Sequence, residues 1–368
     1  MRVAVAGAGA FGRNHLRVYR ELETTGQGVV LVAAVEPDAA RAAEAEAKYS
    51  IPVFSSVEEL LAAGLNLDAA TVAVPTVRHH AVATALLDAG LDLLVEKPLA
   101  ANLAEADDLI RIAEKGGAGK GQRILQPGHL ERFNPAVLAI QPQLRRPMFF
   151  EAHRLSVFTP RSLDVDVVLD LMIHDLDIVL TFANSPVSEV RAVGLPILSP
   201  MVDIANVRVE FESGCVANFT ASRVSTELVR KLRFFEPRQY VSIDYARQDL
   251  LVIRVEGGGG AGATGSLPPE IAAAIAAGKA NPALLAKWAA AGSTGPGPGL
   301  TFAKPRVTPG EPLRLEIESF LDSVRNRREP RVTARQGRDA LALALEIQVS
   351  MVTHAHRAGL EDFFAPGA

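Results

Sequence analysis

Cysteine is nearly absent from this chain, since Cys215 is the only one in 368 residues. A lone cysteine excludes a disulfide framework and a cysteine metal cluster. The net charge is also small, because 38 basic residues nearly balance 42 acidic ones. No basic stripe marks a nucleic-acid interface. No apolar run approaches the roughly 20 residues of a membrane span. The first residues enter a strand at once and leave no room for a signal peptide, so we expect a cytoplasmic protein without nucleic-acid or membrane partners.

Strand and helix patterns alternate along much of the chain. From residue 1 to about 123, short apolar strands alternate with alanine-rich helices, which predicts an α/β fold with a doubly wound parallel sheet. After residue 147 the strands are longer and alternate polar with apolar residues, which predicts an α+β domain with a large, mostly antiparallel open sheet. We therefore place two domains at residues 1–123 and 124–368. A stretch rich in glycine, alanine and proline, at about 256–311, predicts a flexible insertion in the second.

A glycine-rich loop follows the first strand. Residues 2–6 run into Gly7-Ala8-Gly9-Ala10-Phe11-Gly12, and a helical pattern starts at residue 13. Between a strand and a helix, this spacing is the dinucleotide fingerprint: Gly7 permits a tight turn, Gly9 lets the backbone approach the pyrophosphate, and Gly12 allows close packing of helix on strand. Free N–H groups at the helix start attract the phosphates. We therefore predict a Rossmann domain whose cofactor-binding loop is Gly7, Gly9, Ala10, Phe11 and Gly12.

The end of the second strand bears on the choice between NAD and NADP. Glu36 follows the strand pattern of residues 29–35. An acidic residue there accepts hydrogen bonds from the adenosine ribose hydroxyls and repels a 2′-phosphate. Arg41 argues weakly the other way, but its place one turn into the next helix favours a solvated arginine. We therefore predict NAD as the cofactor.

The triplet Glu96-Lys97-Pro98 ends an apolar strand pattern at residues 91–95. In an open α/β sheet, ligands bind just outside the carboxyl ends of the strands. A lysine held there by a rigid proline points its ammonium into the cofactor crevice, and it can hydrogen-bond a substrate hydroxyl. Taken alone, the triplet is better interpreted as a turn with a solvated Glu–Lys pair. The glycine loop upstream favours the functional interpretation.

A predicted helix at about 166–183 carries a second candidate pair. Asp170 and His174 are four residues apart, so on a helix they share one face, and Asp177 lies about one turn further. A carboxylate that orients an imidazole is a common arrangement for proton transfer near neutral pH. A helical histidine satisfied by its neighbour is an equally good interpretation. A metal site is disfavoured, because no further histidine, cysteine or glutamate completes one.

Taken together, these motifs resemble the Gfo/Idh/MocA oxidoreductases, the family of glucose-fructose oxidoreductase and inositol dehydrogenase. The resemblance covers nearly the whole chain outside 256–311. It implies that Lys97 and His174 flank a sugar hydroxyl with Asp170 assisting. It also implies a homodimer or homotetramer formed through the second sheet. The residues that it places around the cofactor, besides the glycine loop and Glu36, are Pro75, Thr76, His79, Glu96 and Lys97.

A narrower resemblance, to UDP-N-acetylglucosamine 3-dehydrogenases, lies in residues 128–135 and 233–238. It implies oxidation of the sugar C3 hydroxyl on the route to lipid A. The nucleotide diphosphate would then need cationic partners, because arginine forks bind phosphate in bidentate fashion; surface salt bridges explain any one of these arginines equally well. The expected substrate residues are Arg132, Phe133, Asn134, Arg154, Arg161 and Asp166.

Two alternatives stay open. One is a dehydrogenase of inositol, a free sugar or a sugar acid, although Asp164-Val165-Asp166 and Met172 stand where the family usually has glycines. That departure leaves a free monosaccharide in doubt. The other is a sensor of another class, which binds NAD without chemistry. Retention of Lys97, Asp170 and His174 together argues against the sensor.

Overall fold

The computed structural model describes residues 1–116, 121–158, 165–255 and 300–360. Their first sheet is built from six strands, β1 (Arg2–Ala6), β2 (Val30–Val35), β3 (Val53–Phe54), β4 (Ala69–Val72), β5 (Asp92–Glu96) and β6 (Leu125–Gly128). They are parallel and lie in the order β3-β2-β1-β4-β5-β6. The predicted doubly wound Rossmann sheet is confirmed.

Helices connect and cover these strands. The helices along this part of the chain are α1 (Gly12–Thr24), α2 (Ala39–Tyr49), α3 (Val57–Ala62), α4 (His79–Asp88) and α5 (Leu103–Lys115). Side-chain caps satisfy free N–H groups at the starts of α2 and α5: Asp38 accepts from the Arg41 N–H at 2.9 Å, and Asn102 accepts from the Glu105 N–H at 3.0 Å. Two later helices, α8 (Pro312–Asn326) and α9 (Ala334–Ala358), follow the second sheet in the chain.

The core of the first sheet has two sides. Buried residues of β1 and β2 pack with α1 and α8, including Leu16, Tyr19, Ile317 and Phe320. Other buried residues of the same strands pack with α4, α5 and the start of α9. Because both faces are covered, the strands are nearly continuous apolar runs, as in the fully buried β4 and β5.

The second sheet contains eight strands in the described residues: β7 (Phe149–Leu155), β8 (Val187–Leu195), β9 (Ile204–Phe211), β10 (Val216–Ser222), β11 (Val229–Glu236), β12 (Gln239–Asp244), β13 (Asp249–Val255) and β14 (Leu300–Ala303). Their order is β14-β13-β12-β11-β7-β10-β9-β8, antiparallel except for the β7–β10 pair. Burial alternates along β7 and β12, so one face is covered and the other is open. The predicted mostly antiparallel open sheet is confirmed.

Two local predictions need correction. Residues 300–303, which we placed in the insertion, form β14 and pair with β13; this short edge strand is masked in the sequence by the glycine and proline residues before it. The predicted helix at about 166–183 is a π-helical turn, Val168–Met172, followed by α7 (Ile173–Ala183). Of the predicted insertion, residues 256–299 lie outside the described residues.

Two compact units divide the chain. The first comprises Met1–Phe133, Val168–Ile178 and Gly310–Val349, and the second comprises Asn134–Val167, Val179–Pro309 and Ser350–Ala368. The first unit therefore includes residues 168–178, which we had placed in the second domain. Because the chain enters this unit three times, the single boundary at residue 123 stays a prediction.

The second unit contains α6 (Pro135–Ile140) and the lone cysteine. Cys215 precedes β10 and is fully buried. Burial disfavours the thiolate and raises the pKa of its thiol to about 11. This residue therefore behaves as a small apolar side chain.

Candidate functional site

The glycine loop leaves open space at one of its three glycines. A Cβ atom on Gly12 would lie 1.8 Å from the Gly7 carbonyl oxygen, and one on Gly7, where φ is +99°, would lie 2.5 Å from the Ala73 oxygen. These two glycines are therefore fixed by the fold itself. Gly9 has no such neighbour within 4 Å. Its missing side chain leaves room for a dinucleotide phosphate, so the loop fits the predicted cofactor. Ala10 and Phe11 beside it are exposed.

Glu36 is turned toward this loop at the end of β2. Its Oε2 accepts the Ala8 N–H at 2.9 Å, and its Oε1 accepts from the Arg41 guanidinium at 3.0 Å. The Glu36 side chain is buried, whereas that of Arg41 is half exposed. Arg41 is an exposed helical arginine, as we interpreted it, and it also pairs with the Glu36 carboxylate. The Glu36 carboxylate therefore lies beside the glycine loop, where it can accept from a ribose hydroxyl, and Arg41 lies next to it.

The predicted nicotinamide residues follow β4. Pro75 is exposed and Thr76 is half-buried, at the start of a short 3₁₀ turn, Thr76–Arg78. His79 is buried, with Nδ1 2.9 Å from the Pro98 oxygen and Nε2 3.0 Å from the Val74 oxygen. Burial lowers the pKa of His79 despite these two acceptors. The histidine therefore links the loop after β4 to the residue that follows Lys97.

Glu96 points inward at the end of β5. It is buried, its Oε1 lies 2.7 Å from His15 Nε2, and its Oε2 accepts the Lys97 N–H at 3.2 Å. Burial opposes its ionisation, but the hydrogen bond and charge of His15 and the charge of Lys97 hold the pKa of Glu96 below its usual range. Gly128 lies beside Glu96 on the neighbouring strand β6. A Cβ atom there would come within 3.1 Å of Glu96 Oε2, so a glycine makes room for the carboxylate.

The Lys97 ammonium contacts the π-helical turn. Its Nζ donates to the Asp170 carbonyl oxygen at 2.6 Å and to that of Leu169 at 3.3 Å, and lies 4.0 Å from Asp170 Oδ1. A π turn breaks the regular i→i−4 bonding of a helix, and such turns are frequent at functional sites. His174 follows in the first turn of α7 and is nearly buried, at 8% exposure. The structure thus brings Lys97 and Asp170 together, with His174 one turn further along the chain.

Arg132 forms a buried ion pair. Its Nη1 lies 3.2 Å from Asp177 Oδ1, and both side chains are 2% exposed. Its Nη2 also donates to the Arg331 oxygen at 3.4 Å. Phe133, the next residue, is buried as well. A phosphate contact by Arg132 would require this pair to open.

The remaining predicted substrate residues belong to the second unit. Asn134 is buried and caps α6, because its side chain accepts the Ala136 N–H at 3.1 Å and donates to the Tyr245 oxygen at 3.0 Å. Arg154 is buried on β7 with its guanidinium 5.2 Å from the Tyr245 ring centroid. Asp166 is buried. Arg161 lies outside the described residues.

Comparison with known proteins identifies the family. Residues 1–119 match the oxidoreductase family with an NAD-binding Rossmann fold, and residues 137–235 match the Gfo/Idh/MocA C-terminal domain. The chain belongs to the Gfo/Idh/MocA oxidoreductase family. It is an NAD-dependent oxidoreductase, as the sequence predicted.

Relatives within the Gfo/Idh/MocA family differ in how much of the chain they match. UDP-N-acetylglucosamine 3-dehydrogenase from Acidithiobacillus ferrooxidans is 32% identical over 97% of this chain and 99% of its own. Its crystal structure matches with a TM-score of 0.77 over 95% of this chain and 97% of its own. Inositol 2-dehydrogenase 1 from Saccharopolyspora erythraea is 32% identical over 52% of this chain and 56% of its own. Levoglucosan dehydrogenase, at 16% identity and a TM-score of 0.74, shares the fold.

Several buried ionisable side chains near this site were not predicted from the sequence. His15, Glu316 and His129 are buried in the first unit, and neither Glu316 oxygen nor either His129 nitrogen has a hydrogen-bond partner among the described residues. Burial, with the charges of Glu96 and Asp177, raises the pKa of Glu316 well above its usual range. Burial lowers the pKa of His129. A polar residue inside an apolar helix pattern, as at positions 15 and 316, is the signal that would have found two of them.

Across residues 1–116, 121–158, 165–255 and 300–360, no group of three or more histidine, cysteine or acidic side chains is arranged to hold a metal ion. None of the helices in these ranges combines the length and the apolar content that a membrane crossing requires.

Replacing Gly9 with alanine should separate NAD binding from folding. The position has open space and an ordinary φ, so the melting temperature of Gly9→Ala should equal that of the wild type. Its methyl group would displace the pyrophosphate, so the Kd for NAD should rise roughly 10- to 100-fold. Calorimetric titration and thermal unfolding measure both. Gly12→Ala is the contrasting variant, because its Cβ meets backbone and should lower the melting temperature too. Wild-type NAD affinity in Gly9→Ala would contradict this placement of the pyrophosphate.

Replacing Glu36 with alanine should shift the enzyme toward NADP. The variant loses the carboxylate that accepts the ribose hydroxyls and leaves Arg41 with only the more distant Asp38, at 3.9 Å, so that its guanidinium can turn to a 2′-phosphate. Loss of hydrogen bonds to a charged group predicts a fall in NAD preference of roughly tenfold or more. The ratio of the Kd values for NADH and NADPH measures it. Arg41→Ala, which removes the cation and keeps the carboxylate, should strengthen the NAD preference; identical ratios in all three proteins would refute the assignment.

Proposed function

We propose that this enzyme oxidises the C3 hydroxyl of UDP-N-acetylglucosamine to the 3-keto sugar nucleotide with NAD. The observation that carries the proposal is the extent of the match to the UDP-N-acetylglucosamine 3-dehydrogenase, 97% of this chain, against 52% for the inositol dehydrogenase at equal identity. Matching over both halves of the chain matters, because function belongs to the site and not to the fold, and the proposed substrate residues lie beyond the first family match, which ends at residue 119.

The chemistry is assigned to Lys97, Asp170 and His174. NAD⁺, when bound, supplies the hydride acceptor at nicotinamide C4. The Lys97 amine donates to two carbonyl oxygens and lies 4.0 Å from the Asp170 carboxylate, which is the arrangement of an ammonium donor. An ammonium is a hydrogen-bond donor and not a base. We therefore assign Lys97 to orienting and polarising the sugar hydroxyl, and His174 to accepting its proton, with Asp170 holding the lysine.

Cofactor binding is assigned to the first unit. The open space at Gly9 receives the pyrophosphate, Glu36 accepts from the ribose, and the loop of Pro75, Thr76 and His79 faces the nicotinamide. The carboxylate of Glu96 is engaged by His15 and the Lys97 N–H, so its part in cofactor binding is indirect.

Binding of the diphosphate is assigned to arginines. The buried Arg132–Asp177 pair supports a structural role for Arg132, so Arg154 and Arg161 are the proposed phosphate partners. Asn134 as a helix cap and Phe133 as a buried residue shape the turn that enters the second unit. Asp166, beside the π turn in the chain, is the proposed contact to the sugar. A place in the cytoplasm on the lipid A precursor route, and assembly as a homodimer or homotetramer through the second sheet, belong to the same proposal.

A dehydrogenase of inositol is the second candidate, favoured by the partial match to inositol 2-dehydrogenases. The NAD-binding sensor is disfavoured by the contact between Lys97 and the Asp170 turn, because a protein without chemistry has no need of an ammonium held at the end of β5.

Substrate specificity distinguishes these functions. With NAD present, we expect UDP-N-acetylglucosamine to give NADH absorbance at 340 nm and a 3-keto product by mass spectrometry, and we expect no reaction with myo-inositol or N-acetylglucosamine. Transamination of the keto product to a 3-amino sugar by an added aminotransferase would identify the carbon. Reduction of NAD by inositol alone would select the second candidate, and NAD binding without reduction by any of them would select the sensor.

Removal of the proposed catalytic groups should lower turnover and spare cofactor binding. General acid–base groups contribute roughly 10²- to 10⁴-fold to rate, so His174→Ala and Lys97→Met should each lower kcat by that order with the Kd for NAD nearly unchanged. Steady-state kinetics and titration with NAD measure both. A partly exposed histidine and an exposed lysine provide the controls, His80→Ala and Lys115→Met, which should keep wild-type kcat. Unchanged kcat in His174→Ala would remove that residue from the mechanism.

A further inference from the structure

We propose that His15 is a positioning residue for Lys97, acting through Glu96. The inference rests on the proposed catalytic role of Lys97 and adds to it a residue from the helix that follows the glycine loop. His15 lies on α1 and is fully buried. Its Nε2 is 2.7 Å from Glu96 Oε1, while the other oxygen of the same carboxylate accepts the Lys97 N–H at 3.2 Å. One carboxylate therefore joins the helix of the dinucleotide loop to the lysine.

Fold stability does not account for this pair. The surrounding surface of α1 is apolar, with Leu16, Val18, Tyr19 and Leu22 in the core. Burying a carboxylate costs several kcal/mol of desolvation, and apolar residues in place of a buried charged group and its partner are often neutral or stabilising. A polar pair in this position is better explained by its contact with Lys97, whose backbone N–H donates to the Glu96 carboxylate.

Glu316 shows what the same interior does to a carboxyl group without a partner. It is as buried as Glu96 and lies on α8, on the side of the sheet that α1 also covers. Neither of its oxygens has a hydrogen-bond partner among the described residues, and burial raises its pKa. The pKa of Glu96 is lowered instead, and the contacts that oppose burial are those of His15 and Lys97. His15 thus keeps Glu96 charged.

The charge on Glu96 acts on Lys97 in two ways. It holds the lysine backbone through the N–H, and it favours the ammonium that donates to the Asp170 and Leu169 carbonyl oxygens. Loss of His15 should therefore raise the pKa of Glu96 and weaken its attraction for the Lys97 ammonium. The other titratable groups that face Glu96 from neighbouring elements are His79, His129 and Glu316.

The test compares variants at position 15. His15→Leu removes the partner of Glu96, and His15→Gln restores a donor of similar reach. His80→Leu is the matched control, because His80 pairs with Asp108 at 2.9 Å on the partly exposed surface of α4. We expect His15→Leu to lower kcat roughly tenfold or more, the size of one lost hydrogen bond to a charged group, with the Kd for NAD within about threefold of wild type. His15→Gln should recover most of kcat, and His80→Leu should match wild type.

A second readout needs no sugar substrate. The pH dependence of Lys97 acetylation, followed by peptide mass spectrometry, should move to lower pH in His15→Leu by about one unit. Glu96→Gln, which keeps the shape of the side chain, should give the same shift and serves if His15→Leu fails to fold. If wild-type enzyme does not oxidise UDP-N-acetylglucosamine, the proposed substrate fails while this readout still decides the role of His15. An unchanged acetylation profile in both variants would overturn the proposal, as would equal kcat in His15→Leu and the wild type.

Discussion

The contact between the Lys97 ammonium and the carbonyl oxygens of the π turn is the constraint on which the rest of this site depends. It joins the end of β5 to residues more than seventy positions later, and both segments belong to one compact unit. Leu169 and Asp170 lie inside the π turn, where their carbonyl oxygens accept from the lysine and the Asp170 carboxylate lies 4.0 Å from Nζ. A local departure from helix geometry thus gives an amine its place.

Much of the fold could be predicted from sequence because its signals are local. The six parallel strands follow from apolar runs, and the loop follows from the spacing of Gly7, Gly9 and Gly12. The motif that contains Lys97 was found for the same reason. Strand β14 was missed because four residues at a sheet edge carry too weak a pattern beside a glycine- and proline-rich stretch.

The side-chain contacts within the site could not be predicted, because each joins two residues that are far apart in the sequence. His15 and Glu96 are 81 positions apart, and Arg132 and Asp177 are 45 apart. The local sequence does not indicate that Arg132 forms an ion pair with a buried carboxylate and does not point to a phosphate. The π turn is equally hidden, since the sequence of residues 168–172 fits a regular helix. Three of the buried carboxyl groups in the first unit consequently differ in environment: Glu96 contacts a histidine, Asp177 contacts an arginine, and burial raises the pKa of Glu316.

The buried thiol of Cys215 has a practical consequence for experiments on this enzyme. With burial holding its pKa near 11, it offers almost no thiolate to maleimides or iodoacetamides at neutral pH. Because the chain has no other cysteine, a single cysteine introduced on an exposed helix position would be the one site to take up a fluorophore or spin label. The wild-type sequence is therefore already a background for site-specific labelling, and distance measurements between its two compact units need no prior removal of native thiols.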